Sequence, residues 1–324
     1  MASTSSAISG NWLTQRWRAY TRRMHAGDQI AHLITLICAA AIFAVTCLIV
    51  IELYQGSVLS RNKFGFGFIF SQTWNPVTGE FGALPFIYGT VVTSILALII
   101  AVPTGLGSAV FLSELAPQRI SDFLTFLIEL LAAVPSVIYG LLGMFLLLPV
   151  LGKIVPVIKQ VLGFLPIFSG AFYGVSIFSA GVILSLMIMP FIVSVSREVL
   201  LAVPRDQREA ALALGASRWQ ATWKVVIPYA KRGIIGSVFL ALARALGETM
   251  AVTMVIGNQP HINTSLFAPG YSIAAVIANE FTEATGDLYT DALIELGLVL
   301  FALTIVINGV ARLLILTTER GGSH

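Results

Sequence analysis

The segment VPRDQREAALALGASRW (residues 203–219) decides the fold, and it predicts a short helix between two long apolar blocks. Pro204 suits a helix N-terminus because the N–H that it lacks is not needed there. Two acidic residues fall in the first turn, where the helix dipole favours negative charge, and three alanines favour helix without adding bulk. Gly215 can end the helix in the left-handed conformation. The segment is therefore either a plain amphipathic connection or a small-faced helix that fits a groove on another protein.

The sequence on both sides of this helix is too apolar for a soluble protein. Hydrophobic residues make up 57% and charged residues 11% of the 324 residues, and the mean hydropathy is +0.89. Soluble chains have about 25% charged residues, and a membrane-spanning helix needs about 20 apolar ones. We predict an all-α membrane protein with about six transmembrane helices. The approximate spans are residues 30–54, 86–112, 123–150, 172–196, 233–257 and 292–311.

Two further segments are expected outside these spans. Residues 151–170 are apolar but carry two lysines and two prolines, so we expect an interfacial or re-entrant excursion, with a seventh span as the alternative. Residues 272–285 have apolar side chains at helical spacing and predict a short surface helix.

Lysines and arginines are distributed unevenly between the two sides of the membrane. Fourteen lie in the N-terminal arm, in the loop after the second span, in residues 197–232 and in the tail, whereas four lie in the other loops. Cytoplasmic loops accumulate these cations. Both termini and the helix after Pro204 are therefore predicted to be cytoplasmic, and residues 258–290, which contain no Lys or Arg, are predicted to lie outside.

No motif indicates catalysis by the chain itself. The sequence has no phosphate-binding glycine loop and no His-Glu-x-x-His motif, and its four histidines are scattered. Cys38 and Cys47 are nine residues apart, on nearly opposite faces of a helix, so neither a disulfide nor a metal site is indicated. The net charge of +3 is too small to indicate nucleic acid. We expect no catalytic residue, metal or cofactor, so a partner or an ion gradient must drive any active transport.

Arg244, Glu248 and Glu129 are ionisable residues inside predicted spans. A charge at the bilayer centre costs about 2.5–3.5 kcal/mol on insertion scales, so each of them needs a reason. Arg244 and Glu248 are spaced i and i+4 on one predicted helix and can pair there, with Glu129 as a further partner. The cluster either fixes helix register or, through Arg244, lends positive potential to an oxyanion path.

Prolines interrupt three of the predicted spans, at Pro103, Pro135 and Pro190. The backbone groups that they free are tolerated only against protein or a water-lined cavity. Pro135, together with Ser136 and Tyr139, is the expected constriction of a path. Plain kinks that shape the packing are the alternative.

Several stretches of the sequence resemble the permeases of ABC importers. The order Glu209-Ala210-Ala211, then Gly215, then Val225-x-Ile227-Pro228 is similar to the EAA loop of that family, in which Ile-x-Leu-Pro is usual at the end. Residues 74–90, 129–140, 187–190 and 244–252 are similar to phosphate importer permeases of the PstC type. The resemblance covers about residues 28–315.

The resemblance implies a type I ABC-importer permease with a five-helix core and an added N-terminal span. It implies that the short helix docks on a cytoplasmic ATPase, and five residues are expected to take part: Glu209, Ala210, Ala211, Gly215 and Pro228. It further implies a second permease of the PstA type, two copies of the ATPase subunit and an extracytoplasmic phosphate-binding protein. The chain would then carry phosphate across a bacterial or archaeal cytoplasmic membrane without itself hydrolysing ATP.

The expected organisation has four parts: an N-terminal arm (1–27), the first span with an outside loop (28–85), a permease core (86–317) with its coupling loop at about 201–228, and a tail (318–324). A permease for sulfate or molybdate is the first alternative. A gradient-driven secondary transporter lacks support because no inverted repeat is visible. A receptor or scaffold leaves the charged span unexplained.

Overall fold

The computed structural model describes residues 10–320, and every regular element in that range is a helix. Two isolated bridges, Asn75–Glu80 and Gly257–Gly270, are the only strand-like pairing there. The prediction of an all-α fold is confirmed. The first nine residues of the predicted arm and the last four of the predicted tail lie outside the described residues.

Six helices within the described residues are long and apolar enough to cross a membrane, which confirms the predicted number. They are Ile30–Gln55, Leu84–Leu115, Ser136–Leu162, Ile177–Leu201, Arg218–Leu246 and Asp287–Val310. The first belongs to helix α1 (Gly10–Gln55). The chain divides into two compact units: α1 belongs to the first, and the second begins at Gly56.

The second unit contains thirteen α-helices in its described part. They are α2 (Val58–Phe64), α3 (Gly67–Phe70), α4 (Leu84–Val110), α5 (Gln118–Ala132), α6 (Ser136–Leu142), α7 (Leu148–Leu162), α8 (Ile177–Leu201), α9 (Arg205–Ala213), α10 (Arg218–Ala221), α11 (Ile227–Leu246), α12 (Met250–Ile256), α13 (Ile273–Glu280) and α14 (Asp287–Arg320). Short π-helical segments extend α4 (Phe111–Leu115) and join α6 to α7 (Gly143–Leu147) and α10 to α11 (Thr222–Val226).

Helices α4 and α8 pack side by side in the same direction and form the centre of the second unit. Small residues allow the approach: a Cβ added at Gly181 would lie 2.5 Å from the Leu96 side chain, and one added at Gly105 would lie 3.0 Å from Ile192. Since the two helices are parallel, their N-termini mark one end of the bundle, called here the cap end. Their C-termini mark the opposite end, called here the loop end.

Aromatic side chains hold the cap end together. The Trp74 indole donates to Glu280 Oε2 (2.8 Å), and the Tyr289 hydroxyl donates to the same oxygen (2.6 Å). Trp74 also packs edge-on against Phe81 and Phe86. These contacts explain why aromatic residues are frequent in the stretch before α4.

The segment before α13 lies directly against the backbone of α4. A Cβ added at Gly89 would lie 2.1 Å from the Tyr271 carbonyl oxygen, and Thr90 Oγ1 accepts from the Ile273 N–H (2.9 Å). Helix α13 is therefore correctly predicted as a helix, but it is not a surface helix. Its first four residues are buried because they pack among residues of α4 and α14.

The predicted third span, residues 123–150, is wrong in its bounds. Helix α5 ends at Ala132, and a new helix begins at Ser136 after Pro135. Pro135 lacks an N–H and disfavours helical conformation for the residue before it, so the chain breaks there. The membrane-length helix instead runs to Leu162, and the excursion predicted for residues 151–170 is wrong over its first twelve residues.

The fifth span is also displaced from its prediction. It begins at Arg218 and ends at Leu246, so residues 250–256 form a separate short helix. Pro228 consequently lies in the second position of α11, inside this span, and not in the loop where the predicted boundary of 201–228 placed it. The loop proper is residues 202–217.

Candidate functional site

Helix α9 is built as its sequence predicts. Pro204 is its N-cap, and Gly215 has φ +84°, in the left-handed region. The Gly215 N–H donates to the Leu212 carbonyl (2.9 Å) and the Ala216 N–H donates to the Ala211 carbonyl (3.1 Å). This pair of bonds is a Schellman motif, which satisfies carbonyls that the helix end leaves open.

One face of α9 is turned to the bundle and the other is open. Ala211 is buried, whereas Glu209 and Ala210 are exposed. Leu212 and Leu214 are 44% and 89% exposed. The open face therefore ends in two exposed apolar side chains.

The chain restarts as a helix immediately after Gly215. Ser217 accepts from the Gln220 N–H, and the Gln220 side chain accepts from the Ser217 N–H, which together form a capping box. The π-helical segment Thr222–Val226 follows and leads into Pro228. Because Pro228 has no N–H to give to the preceding turn, the wider helical turn there accommodates it.

Arg208 fixes α9 to the rest of the loop end. Its Nη2 lies 2.7 Å from Glu114 Oε1 and its Nε lies 3.1 Å from Glu114 Oε2, in a two-pronged ion pair. Nη2 also donates to the Leu200 carbonyl (2.7 Å) and Nη1 donates to the Val203 carbonyl. One side chain therefore links α9 to the ends of α4 and α8.

The predicted pairing of Arg244 with Glu248 is wrong. Helix α11 ends at Leu246 with Gly247 as its C-cap, so Glu248 lies in the turn after the helix and does not share a helical face with Arg244. Glu248 instead accepts from the Ala251 N–H (3.3 Å) at the start of α12. Arg208, and not Arg244, forms an ion pair with a glutamate, Glu114.

Arg244 lies in the last turn of α11, where the helix dipole favours a positive charge. Its side chain is exposed on this chain, and it lies within electrostatic range of the Tyr139 hydroxyl. The charge of Arg244 therefore acts on the Tyr139 hydroxyl, so the two residues lie in the same part of the bundle. The structure leaves Arg244 open to a ligand or to another chain.

Tyr139 is buried and stabilises the turn that separates α5 from α6. Its hydroxyl donates to the Leu131 carbonyl (2.7 Å) across the turn that contains Pro135. Ser136 is the first residue of α6, and Pro135 is exposed at its N-cap. A Cβ added at Gly140 would lie 2.4 Å from the Met254 sulfur, so α6 and α12 meet closely beside this turn.

Glu129 does not join this group as a buried charge. It lies on α5, which is not part of a membrane-length helix, and it is exposed on this chain. The expectation of a third ionisable group buried within a span is therefore wrong for Glu129. The apolar content of residues 123–132 hid the fact that this segment is a separate amphipathic helix.

Sequence reasoning missed the role of Arg208 and Glu114. The two residues are 94 positions apart in the sequence, and no local sequence pattern indicates that they interact. The available signal was a carboxylate at the end of an apolar span, together with an arginine in a loop on the same predicted side. Because that loop held several cations, the sequence alone did not select one.

Comparison with known proteins places these features in a family. Residues 101–318 match the family described as "Binding-protein-dependent transport system inner membrane component". The matched range includes the π-helical end of α4, the whole loop and the break after α11.

Two curated relatives are similar over nearly their whole length. The phosphate transport system permease protein PstC of Mesorhizobium japonicum is 47% identical over 306 residues, which cover 93% of this chain and 94% of that protein. The PstC protein of Pasteurella multocida is 45% identical over 315 residues, which cover 95% of this chain and 98% of that protein.

A solved structure supports the fold. A chain from the MetNI methionine ABC transporter, in an inward-facing conformation, is similar with a TM-score of 0.53. The alignment covers 76% of this chain and 99% of that one, at 15% identity. At that identity the likeness concerns only the fold.

Proposed function

Because the chain belongs to the binding-protein-dependent transport system inner membrane components and, among them, to the PstC phosphate permeases, we propose that it is the membrane-spanning permease subunit of an ATP-driven phosphate importer. The observation that carries this proposal is the identity of 47% with a phosphate permease along 93% of the chain. The loop geometry supports the proposal, because an ATPase subunit needs a contact helix that is anchored to the bundle on one face and exposed on the other.

The helix α9 is the proposed contact with a cytoplasmic ATPase. Glu209 and Ala210 lie on its open face, and Ala211 seats it on the bundle. Gly215 gives the sharp end that leaves Leu214 exposed. Pro228 takes part only indirectly, because it lies in the membrane span that follows the loop and not in α9 itself.

The proposed phosphate path runs beside the break between α11 and α12. An arginine inside a membrane helix is costly unless it faces water or another protein, and Arg244 is exposed on this chain. We assign it the role of drawing the anion in, since a guanidinium suits phosphate oxygens. Tyr139, Pro135 and Ser136 shape the wall beside it, and Glu248 holds the start of α12. Glu129 belongs to the surface at the edge of this region.

Such a subunit works as part of a larger assembly. The proposed partners are a second permease of the PstA type, two copies of a cytoplasmic ATPase subunit and an extracytoplasmic phosphate-binding protein. The exposed surface at Arg244 leaves room for the second permease, and the exposed face of α9 leaves room for the ATPase. The cap end, with the turn around Val77 projecting from it, is the proposed docking surface for the binding protein.

Uptake of radiolabelled phosphate tests the proposed substrate. Cells that depend on this chain for high-affinity uptake should lose ATP-dependent phosphate accumulation when its gene is deleted, and should regain it on complementation. Unlabelled sulfate or molybdate in excess should not compete. Competition by either anion at concentrations similar to phosphate would favour a permease for another oxyanion.

Cysteine labelling tests the proposed orientation, with both termini in the cytoplasm and the loop end inside. In a chain without Cys38 and Cys47, a cysteine at Val77 should react with an impermeant thiol reagent from outside. One at Leu214 should react only in inverted vesicles. These positions are 95% and 89% exposed. The reverse labelling pattern would overturn the orientation and the assignment of α9 to the ATPase.

A further inference from the structure

The geometry points to Arg208 as a positioning residue that makes α9, α4 and α8 move as one lever through its ion pair with Glu114. This inference rests on the proposed function, because a lever needs a motor subunit to move it. It adds a residue that lies outside the open docking face and acts through the membrane helices.

Helix α9 is too short to hold its place by itself. It has nine residues, and isolated helices of that length are not stable in water. Ala211 is its only buried residue, and an alanine side chain contributes little contact area. A second attachment is therefore required if a push on α9 is to reach the membrane helices.

Arg208 provides this attachment with four hydrogen bonds to three separate points of the chain. Its guanidinium grips both oxygens of Glu114, which lies in the π-helical end of α4. It also donates to the carbonyls of Leu200, in the last turn of α8, and of Val203, just after it. The planar fork of arginine suits this set of acceptors, whereas a lysine ammonium does not.

The ion pair is sheltered enough for its loss to matter. The side chains of Arg208 and Glu114 are 21% and 9% exposed. Below them lies a packed apolar cluster that includes Val110, Leu200 and Val226, drawn from α4, α8 and the start of the fifth span. Removing one partner of a sheltered pair strands the other, so the joint is strong only when both are present.

The test is the ratio of phosphate transported to ATP hydrolysed by the complete importer in proteoliposomes. Arg208→Lys keeps the charge and loses the fork, and Glu114→Gln keeps the shape and loses the charge. Each should lower phosphate per ATP by about fivefold or more, while the ATPase subunit stays bound at wild-type stoichiometry. Arg119→Lys, at an exposed cation of the same end, is the matched control and should leave the ratio unchanged.

Two results would overturn the inference: an unchanged ratio in Arg208→Lys, whether the two rates stay the same or fall in proportion, or loss of the ATPase subunit from the variant complex. A second measurement does not depend on the substrate. Hydrogen exchange of the amides of α9 in the assembled complex should be about tenfold faster in Arg208→Lys than in the wild type. Absence of phosphate uptake by the wild-type importer would instead refute the proposed function, and the exchange experiment would still test the lever.

Discussion

Two arginines of this chain, Arg208 and Arg244, are held in opposite ways. Arg208 lies at the loop end and donates to four acceptor atoms, namely both oxygens of one carboxylate and two carbonyl oxygens. Arg244 sits at the end of a membrane helix, exposed, and has no ion pair with a described residue. A cation with four of its five N–H donors engaged can transmit force but is poorly placed to attract an anion, whereas an exposed cation can attract one. We therefore propose coupling as the role of Arg208 and the phosphate path as the place of Arg244.

The largest expected effect comes from removing the open charge. Arg244→Gln should lower phosphate uptake by about 100-fold, because a fixed charge in a low-dielectric path is worth far more than one in water. Arg244→Lys should keep part of the activity. The complex should still assemble with its ATPase, as measured by co-purification.

The double variant Arg244→Gln with Glu248→Gln separates the path from a structural pair. It should be as inactive as Arg244→Gln, because Glu248 accepts from the Ala251 N–H of α12 and does not pair with Arg244. Glu248→Gln by itself keeps an acceptor oxygen and should retain most uptake. Recovery of uptake in the double variant would mean that the two charges form a clamp.

A smaller effect is expected at the end of α9. Gly215→Val forces a β-branched residue into φ +84°, at a cost of about 1–2 kcal/mol that comes only from the backbone, since no atom lies within 4 Å of the added Cβ. Uptake should fall about tenfold with the chain still inserted in the membrane. Gly215→Asn, which tolerates this conformation, is the control and should keep most of the uptake. Equal loss in both variants would contradict the role of the helix end.

The smallest effect on transport, but a clear one on stability, is expected far from both arginines. Gly89→Ala would place a Cβ 2.1 Å from the Tyr271 carbonyl oxygen and should destabilise the purified chain by about 1–3 kcal/mol. Gly107→Ala, on the same helix with open space around it, should be neutral or gain about 1 kcal/mol. Thermal unfolding in detergent measures both. A lower midpoint for Gly107→Ala than for Gly89→Ala would contradict the packing described for α4.

The sequence was informative where the signals are local. Pro204 and Gly215 define the ends of α9 through their own backbone preferences, so that helix could be predicted without its surroundings. The break at Gly247 was missed because the apolar run continues across it, and an i to i+4 spacing was read as one helical face. Pro135 was noticed, but the helix interruption that it causes moved the start of the span from residue 123 to 136 and its end from 150 to 162.

The contact of Arg208 with Glu114 could not be read from the sequence for a different reason. It depends on the parallel packing of α4 and α8, which brings the ends of two distant spans together. The distribution of Lys and Arg predicts which side of the membrane holds the cations, but it does not identify the one that forms an ion pair. Only the folded chain distinguishes the held arginine from the others in the loop.

Phosphate uptake and ATP hydrolysis, measured together in proteoliposomes of the complete importer, test the division between the two arginines most directly. Arg208→Lys should leave hydrolysis near the wild-type rate and lower the phosphate carried per ATP. Arg244→Lys should lower both rates in proportion and leave that ratio unchanged. The same change of ratio in both variants, or a changed ratio in Arg244→Lys alone, would contradict the assignment of coupling to Arg208 and of the path to Arg244.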